Sequence, residues 1–313
     1  MARYKIIVNP ISGRGQGGRS IQLLEENLQK YGVDFDLVRT ERPLHATELA
    51  RQAATEYEVV VAVGGDGTLN EVINGLMQAK QDDADKQTTL GVLGVGRGND
   101  FAYSMGMPAD LAAACHILAQ GATRVIDIGH VQGGDFPNGR YFGNSLGIGF
   151  DAVVGFEAAK MTRLTGFVSY LVATLKTIFL YFQAPQVHIQ SDDRQITLPA
   201  LMISIMNGPR QGGLFQMSPQ AQNDDGLFDL CIVAAASKAR IFTLIPHFFS
   251  GSQFGQKEVQ LQQMDNVVIT AVQGTLPAHL DGETLSTAGK KLVVTLYPHQ
   301  LPVIYPQKAA SSS

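Results

Sequence analysis

Two carboxylates separated by one glycine, Asp281-Gly282-Glu283, and a third set among glycines, Asp66, are the residues of this chain best suited to proton or metal chemistry. Side chains at positions i and i+2 share a face when the segment is extended, so Asp281 and Glu283 are expected to point together, with Gly282 leaving access between them. Such a pair suits metal binding and base catalysis. Asp66 lies in Gly64-Gly65-Asp66-Gly67-Thr68-Leu69-Asn70-Glu71, directly after the apolar run Val59 to Val63 and at the head of a helical pattern. A helix starting there aims free N–H groups and the positive end of its dipole at whatever lies over the glycines, which favours a triphosphate. Asp66 is placed to hold Mg²⁺ or a proton, and Thr68 and Glu71 fit a capping box. The Lys-Ser/Thr pair of a Walker A loop is missing.

Two more glycine-rich loops follow apolar runs: Asn9 to Arg19 after Ile6-Ile7-Val8, and Gly94-Val95-Gly96-Arg97-Gly98-Asn99-Asp100-Phe101 after Leu90 to Leu93. Glycines let a loop approach a phosphate closely, and Arg14 and Arg19 could meet negative charge. Asn99 could cap the helix that follows it. Asp224-Asp225-Gly226-Leu227, taken by its residues, is a good turn. The histidines, His45, His116, His130, His188, His247, His279 and His299, have no metal-ligand spacing, and the chain makes no case for zinc.

The elements that must position these residues change character along the chain. Strand-like and helix-like patterns alternate through Tyr4–Val8, Ile21–Tyr31, Phe35–Thr40, Ala46–Thr55 and Val59–Val63. Near-continuous apolar strands of this kind suit a parallel sheet covered on both faces, in which ligands bind beyond the carboxyl ends of strands. Three glycine loops at successive strand ends then define one site. After about Asp127 the runs Tyr141–Leu146, Gln186–Gln190, Ala200–Met206, Leu227–Val233 and Val267–Val272, parted by turns such as Gln132–Asp135 and Ser191–Asp193, predict antiparallel strands and a second, β-rich domain.

Length and composition agree with two domains: 313 residues exceed the usual size of one. With 24 basic against 28 acidic residues and a formal charge of -4, no nucleic-acid partner is expected. Cys115 and Cys231 are far apart and are expected to be buried apolar residues. The opening apolar run is too short for a signal-peptide core, which implies a cytoplasmic protein. Gly166–Phe182, with Lys176 near its middle, predicts a core or interfacial helix rather than a membrane span. The tail, residues 309–313, is expected to be disordered.

A buried strand running into Gly-Gly-Asp-Gly-Thr-Leu-Asn-Glu-Val, followed about thirty residues later by Gly-Arg-Gly-Asn-Asp-Phe-Ala, resembles the catalytic domain of diacylglycerol kinases. Asn9-Pro10 with Ser12-Gly13, Asp224-Asp225-Gly226-Leu227 after Ser218-Pro219, and Asp281-Gly282-Glu283 resemble the soluble bacterial lipid kinases of that family, over nearly the whole chain from Tyr4 to about Pro306. The resemblance implies an α/β nucleotide-binding domain, akin to phosphofructokinases and NAD kinases, over residues 1–127, with 291–308 returning to it. A β-sandwich domain for the lipid is implied over 128–290. It further implies ATP- and Mg²⁺-dependent phosphorylation of a hydroxyl of diacylglycerol or a related lipid, in phospholipid biosynthesis.

Carried over residue by residue, the family pattern puts ATP on Asn9, Pro10, Ser12, Gly13, Thr40, Gly64, Gly65, Asp66, Gly67, Thr68, Leu69 and Asn70, with position 97, Asn99 and Asp100 beside it. It makes Glu283 the proton acceptor and Asp281 a partner in the Mg²⁺ network, roles that could be exchanged; with ATP over the three loops, Asp66 with Asp100 is expected to organise the metal. A structural Mg²⁺ loop is implied at Asp225, with Gln222 and Leu227 supplying backbone oxygens. The chain departs from the usual family loop at Gly94, which stands for Pro, and at Arg97, which stands for Thr and could pair with phosphate as a charged fork.

The lipid is expected to enter between the domains, with Gly212–Met217 and Ile241–Phe249 as candidates for apolar cover or for transient contact with a membrane surface, peripheral at most. A homodimer is left open. Two other readings stand beside the lipid kinase: an NAD kinase, which shares the Gly-Gly-Asp-Gly loop, and a nucleotide- or lipid-binding protein without turnover, against which the pair Asp281 and Glu283 argues.

Overall fold

Strand β1 (Arg3–Val8) opens a β-α alternation that continues as α1 (Ser12–Arg19), α2 (Ile21–Lys30), β2 (Asp34–Arg39), α3 (His45–Ala53), β3 (Val59–Gly64), α4 (Asp66–Asp82), β4 (Thr89–Gly94), α5 (Asp100–Ser104) and α6 (Leu111–Gln120). The computed structural model describes residues 2–160, 176–177, 184–191 and 194–307. The expected helix over Gly166–Phe182 lies outside the described residues but for 176 and 177, as do the turn residues 192–193 and the tail 309–313. Among the described residues no helix is long and apolar enough to cross a membrane. The chain divides into two units, Met1–Ile126 with His299–Ser313, and Asp127–Pro298.

The first unit is built on a parallel sheet in the order β15–β4–β3–β1–β2, where β15 is the chain's last strand (Lys291–Ile304). All six residues of β3 are buried, as a central parallel strand with helices on both faces requires. In register, Val8 faces Val63 and Val63 faces Leu93, so β1, β3 and β4 end at one level. The three glycine loops therefore leave the sheet side by side. Helices α3 and α4 pack closely at Gly75, where a Cβ would lie 2.3 Å from the Thr47 carbonyl oxygen.

The second unit is antiparallel. Its elements are the latter part of β5 (Thr123–Gly133), then β6 (Phe136–Phe142), β7 (Ser145–Gly149), α7 (Phe150–Ala159), β8 (Gln186–Ser191), β9 (Arg194–Met206), β10 (Phe228–Ala234), α8 (Lys238–Ser250), β11 (Val259–Met264), β12 (Asn266–Gln273), β13 (Leu276–Leu280), β14 (Glu283–Gly289) and the first part of β15. Strand β9 serves both layers of the sandwich: its first half pairs with β8 and its second half with β7 and β10. Along β10, Phe228, Leu230 and Ile232 face the core between the layers, while Cys231 and Val233 meet Ile241, Leu244 and Phe248 of α8. Period-2 alternation with both faces apolar is the signature of a strand covered on both sides.

One expected strand is interrupted. Tyr141–Leu146 was predicted as continuous, but the chain breaks at Gly143-Asn144 between β6 and β7. The cause is a carboxylate described below, which draws the amides of that segment out of the ladder.

Candidate active site

In the first unit the three loops interlock. The backbone N–H of Asn9 donates to Val63 O at 3.0 Å, that of Val95 to Gly64 O at 2.7 Å, and that of Thr40 to Val8 O at 2.9 Å. Asn9 Nδ2 donates to Thr68 Oγ1 at 2.9 Å, and Ser12 Oγ donates to Asn9 O at 2.8 Å. A Cβ on Gly96 would stand 2.5 Å from Gly65 Cα, so only a glycine lets the second and third loops pass this closely. After Pro10, the first loop takes a left-handed turn at Gly13, Arg14 and Gly15.

Asp66 is the first residue of α4, and its Oδ1 accepts the N–H of Phe101 at 3.3 Å. Above Gly98 a Cβ would lie 2.9 Å from Asp66 Oδ2 and 3.2 Å from Asp100 Oδ2, so two carboxylate oxygens converge on a point that only a glycine leaves open. Hard oxygens gathered this way fit Mg²⁺. Arg97, next to Gly98, is exposed and makes no ion pair among the described residues.

Several expected contacts are placed differently. The capping box does not form: α4 is capped by Gly65 with no side-chain bond, and the Glu71 carboxylate instead accepts from Leu44 N and Ala46 N at 3.0 Å each, capping α3. Gly64, Gly65 and Gly67 stay in or beside the loop cluster, but Leu69 is 3% exposed and Asn70 fully enclosed, with its Oδ1 accepting from Asn74 Nδ2. One turn into a buried helix, these two side chains face the core. Asn99 occupies the N-cap position of α5 but makes no side-chain cap bond; its side chain closes on its own loop, accepting from Gly96 N at 2.8 Å.

In the second unit, Asp281 and Glu283 do not lie along one extended face. Asp281 and Gly282 have φ of 42° and 84°, and Leu280 pairs with Glu283, which makes Asp-Gly the two-residue turn of a β13–β14 hairpin. The Asp281 carboxylate is buried and accepts three backbone N–H groups, from Gly143 and Asn144 at 3.0 Å and Ser145 at 2.9 Å. Glu283 is exposed.

The loop with Gln222, Asp225 and Leu227 is tied to a residue that sequence reading missed. Asp127 is fully buried; its Oδ2 accepts the N–H of Gly226 at 2.7 Å, and its own N–H donates to Asn223 O at 2.7 Å. Gln222 and Asp225 are exposed, and Asp225 Oδ1 accepts the N–H of Leu227 at 3.1 Å. Among the described residues no three His, Cys, Asp or Glu side chains gather to hold a metal ion, so a cation here needs backbone oxygens beside carboxylate. A second unforeseen group is buried nearby in the same unit: Asp151 Oδ2 accepts from Ser204 Oγ at 3.0 Å and from Gln211 Nε2 at 3.1 Å, and Gln211 Nε2 lies 3.2 Å from His279 Nε2. Burial pushes the Asp151 carboxyl above its usual range, and His279 partly offsets this. Nothing in the spacing of residues 151, 204, 211 and 279 announces the cluster, because Asp151 comes from α7, Ser204 from β9, Gln211 from the chain after β9 and His279 from β13.

Comparison with known proteins supplies the family. A family model described as the diacylglycerol kinase catalytic domain matches residues 3–131, and one described as the YegS C-terminal NAD kinase beta sandwich-like domain matches residues 144–305. The chain is 28% identical over 313 residues to a diacylglycerol kinase of Bacillus subtilis (strain 168), covering 99% of this chain and 98% of that protein. It is 33% identical over 241 residues to a diacylglycerol kinase of Staphylococcus epidermidis (strain RP62A), covering 76% and 72%. A crystal structure of a diacylglycerol kinase from Bacillus anthracis str. Sterne superposes with a TM-score of 0.72 over 97% of both chains at 19% identity, a likeness of fold.

Proposed function

The chain belongs to the diacylglycerol kinase family, and on that premise we propose that it transfers the γ-phosphate of ATP, with Mg²⁺, to a hydroxyl of diacylglycerol or a related lipid. It is a kinase with an alcohol group as acceptor. The observation that carries the finer reading is the convergence of Asp66 and Asp100 oxygens over Gly98, within three interlocked glycine loops at the strand ends.

Phosphoryl transfer asks a protein mainly to position two oxygens in line and to neutralise charge. The N-terminal N–H groups of α4 and the loop amides would cradle the polyphosphate, with Arg97 as an added cation. Asp66 and Asp100 would hold Mg²⁺, which would supply neutralisation of charge on the phosphates. Glu283, exposed at the start of β14, takes the proton as the lipid O–H bond breaks and the oxygen bonds to the γ-phosphorus, with ADP leaving. Asp281, occupied by three amides, holds the turn that carries Glu283. Asp225, with Gln222 and Leu227 backbone oxygens, would hold the structural Mg²⁺.

The two apolar segments divide between core and surface. Met217, Ile241, Leu244 and Phe248 are buried, Phe215 stacks on Phe249 at 4.9 Å, and Leu214 and Phe242 are exposed. The exposed pair supports transient contact with a lipid surface.

The test is transfer of label from γ-labelled ATP to a panel of lipids in mixed micelles, with Mg²⁺ or EDTA, beside NAD and a Glu283→Ala variant. Mg²⁺-dependent labelling of a lipid, lost in the variant, supports the reading. Labelling of NAD alone, or ATP binding with no labelled product, sinks it.

A further inference from the structure

The Asp281 turn is held by the amides of Gly143, Asn144 and Ser145, of which the first two form the break between β6 and β7 and the third opens β7. What keeps the break in shape is Asn207, the residue after β9, which is fully buried. Its backbone N–H donates to Asn144 O at 2.8 Å, and that of Gly208 to the same oxygen at 3.0 Å. Its Nδ2 donates both to Gly143 O at 2.8 Å and to Asp127 O at 2.9 Å. Two carbonyl oxygens facing one amide group can be satisfied only by a nitrogen with two hydrogens, which sets the orientation of the side chain. On the far side of the break, Asn144 Nδ2 donates to Arg210 O at 2.9 Å.

Through Asp127 the same amide reaches the other loop. Asp127 N donates to Asn223 O, and Asp127 Oδ2 accepts from Gly226 N, so Asn207 is one residue away from both the Asp281 clamp and the 222–227 loop. A buried group bonded both to β5 and to the break is rigid, and rigid groups transmit small displacements to whatever they hold.

We infer that Asn207 is a positioning residue for phosphoryl transfer: its carboxamide holds the 143–145 amides against Asp281, and thereby the hairpin turn that presents Glu283, in one frame with the 222–227 loop. The inference rests on the proposed lipid kinase reaction for its kinetic consequence, but its structural part stands without it.

The experiment uses the full chain with Asn207→Leu, which keeps the volume and removes both donors, and Asn207→Ser, which keeps one. Misplacing a reacting group by about 1 Å costs on the order of 10²-fold in rate. The expected result for Asn207→Leu is therefore a fall in kcat of about that size with the KM for ATP little changed, and a smaller fall for Asn207→Ser. Independently of activity, hydrogen exchange should show the amides of Gly143, Asn144, Ser145, Asp127 and Gly226 losing protection together, while those inside β9 and β10 keep theirs. Should the leucine variant not fold, the serine variant is read by the same two measures. Unchanged kcat, or exchange in which the 143–145 amides stay protected or the whole unit opens uniformly, overturns the inference. If the wild-type chain phosphorylates no lipid, the reaction assigned above fails, and coupled loss of protection still decides the role of Asn207.

Discussion

Asp281 and Glu283 stand one glycine apart in opposite surroundings: the first carboxylate is buried, 3% exposed, against three backbone amides, and the second is open to solvent across a hairpin turn. The two should therefore fail differently. Glu283→Gln is expected to lower kcat by about 10²- to 10⁴-fold, the range for loss of a general base, and to change stability by less than about 0.5 kcal/mol, as for other surface substitutions. Asp281→Asn turns an amide group toward backbone N–H donors and should cost about 1–3 kcal/mol of stability. Denaturant melts and lipid kinase assays on the two variants check the contrast; equal stability would remove the structural role of Asp281.

Gly98→Ala places a methyl group 2.9 Å from Asp66 Oδ2 and 3.2 Å from Asp100 Oδ2. The carboxylates must separate, and with them the proposed Mg²⁺ position. Activity should fall on the order of 10²-fold, with a raised Mg²⁺ requirement and an unchanged melting temperature. A magnesium titration of turnover decides it.

Arg97 sits exposed beside that glycine. A solvated charge pair about 4 Å apart is worth about 1 kcal/mol, so Arg97→Thr should weaken ATP binding about fivefold at low salt. The difference should vanish as salt rises, which calorimetric titration at two ionic strengths would show.

Glu71 caps α3 from the side of α4 through Leu44 N and Ala46 N. Glu71→Ala is expected to cost about 1–2 kcal/mol, the worth of a helix cap, and to leave kcat unchanged. Thermal unfolding beside a turnover assay separates this from a role at the loops.

His130 packs 4.6 Å from the Tyr141 ring and 6.1 Å from that of Tyr297, and burial pushes its imidazole below the usual range. The folded chain then takes up a proton at lower pH than the unfolded chain does, so stability present above about pH 6.5 declines as the pH falls through that window. His130→Phe removes this contribution, and its melting temperature should fall less steeply between neutral and mildly acidic pH. Parallel slopes for both proteins would refute it.

The parallel sheet was legible because its central strand is buried on both faces: Val59 to Val63 has no polar position, and such a run between helical patterns has few other places to go. The glycine loops were legible for a related reason, since close approach of one backbone to another leaves glycine as the residue that fits, as at Gly96 against Gly65. Local rules thus carried the fold class, the loop cluster and the family resemblance. They did not say which partner a polar side chain would choose. Glu71 had a local partner at the head of its own helix and took a distant one on α3; Asn99, at the N-cap of α5, turned its side chain to its own loop. Asp281-Gly282 is an Asp-Gly turn signal at the level of two residues, yet the burial of its carboxylate depends on amides more than a hundred residues away. Asp127, Asn207 and the Asp151–His279 cluster carry no periodicity at all, because their neighbours are assembled by strand pairing between distant parts of the chain. By itself the sequence determined which elements form and where backbones must meet, for those follow from local sterics and burial. Only the tertiary structure decided which donors meet which acceptors, because a buried polar group takes the partner that packing puts within about 3 Å.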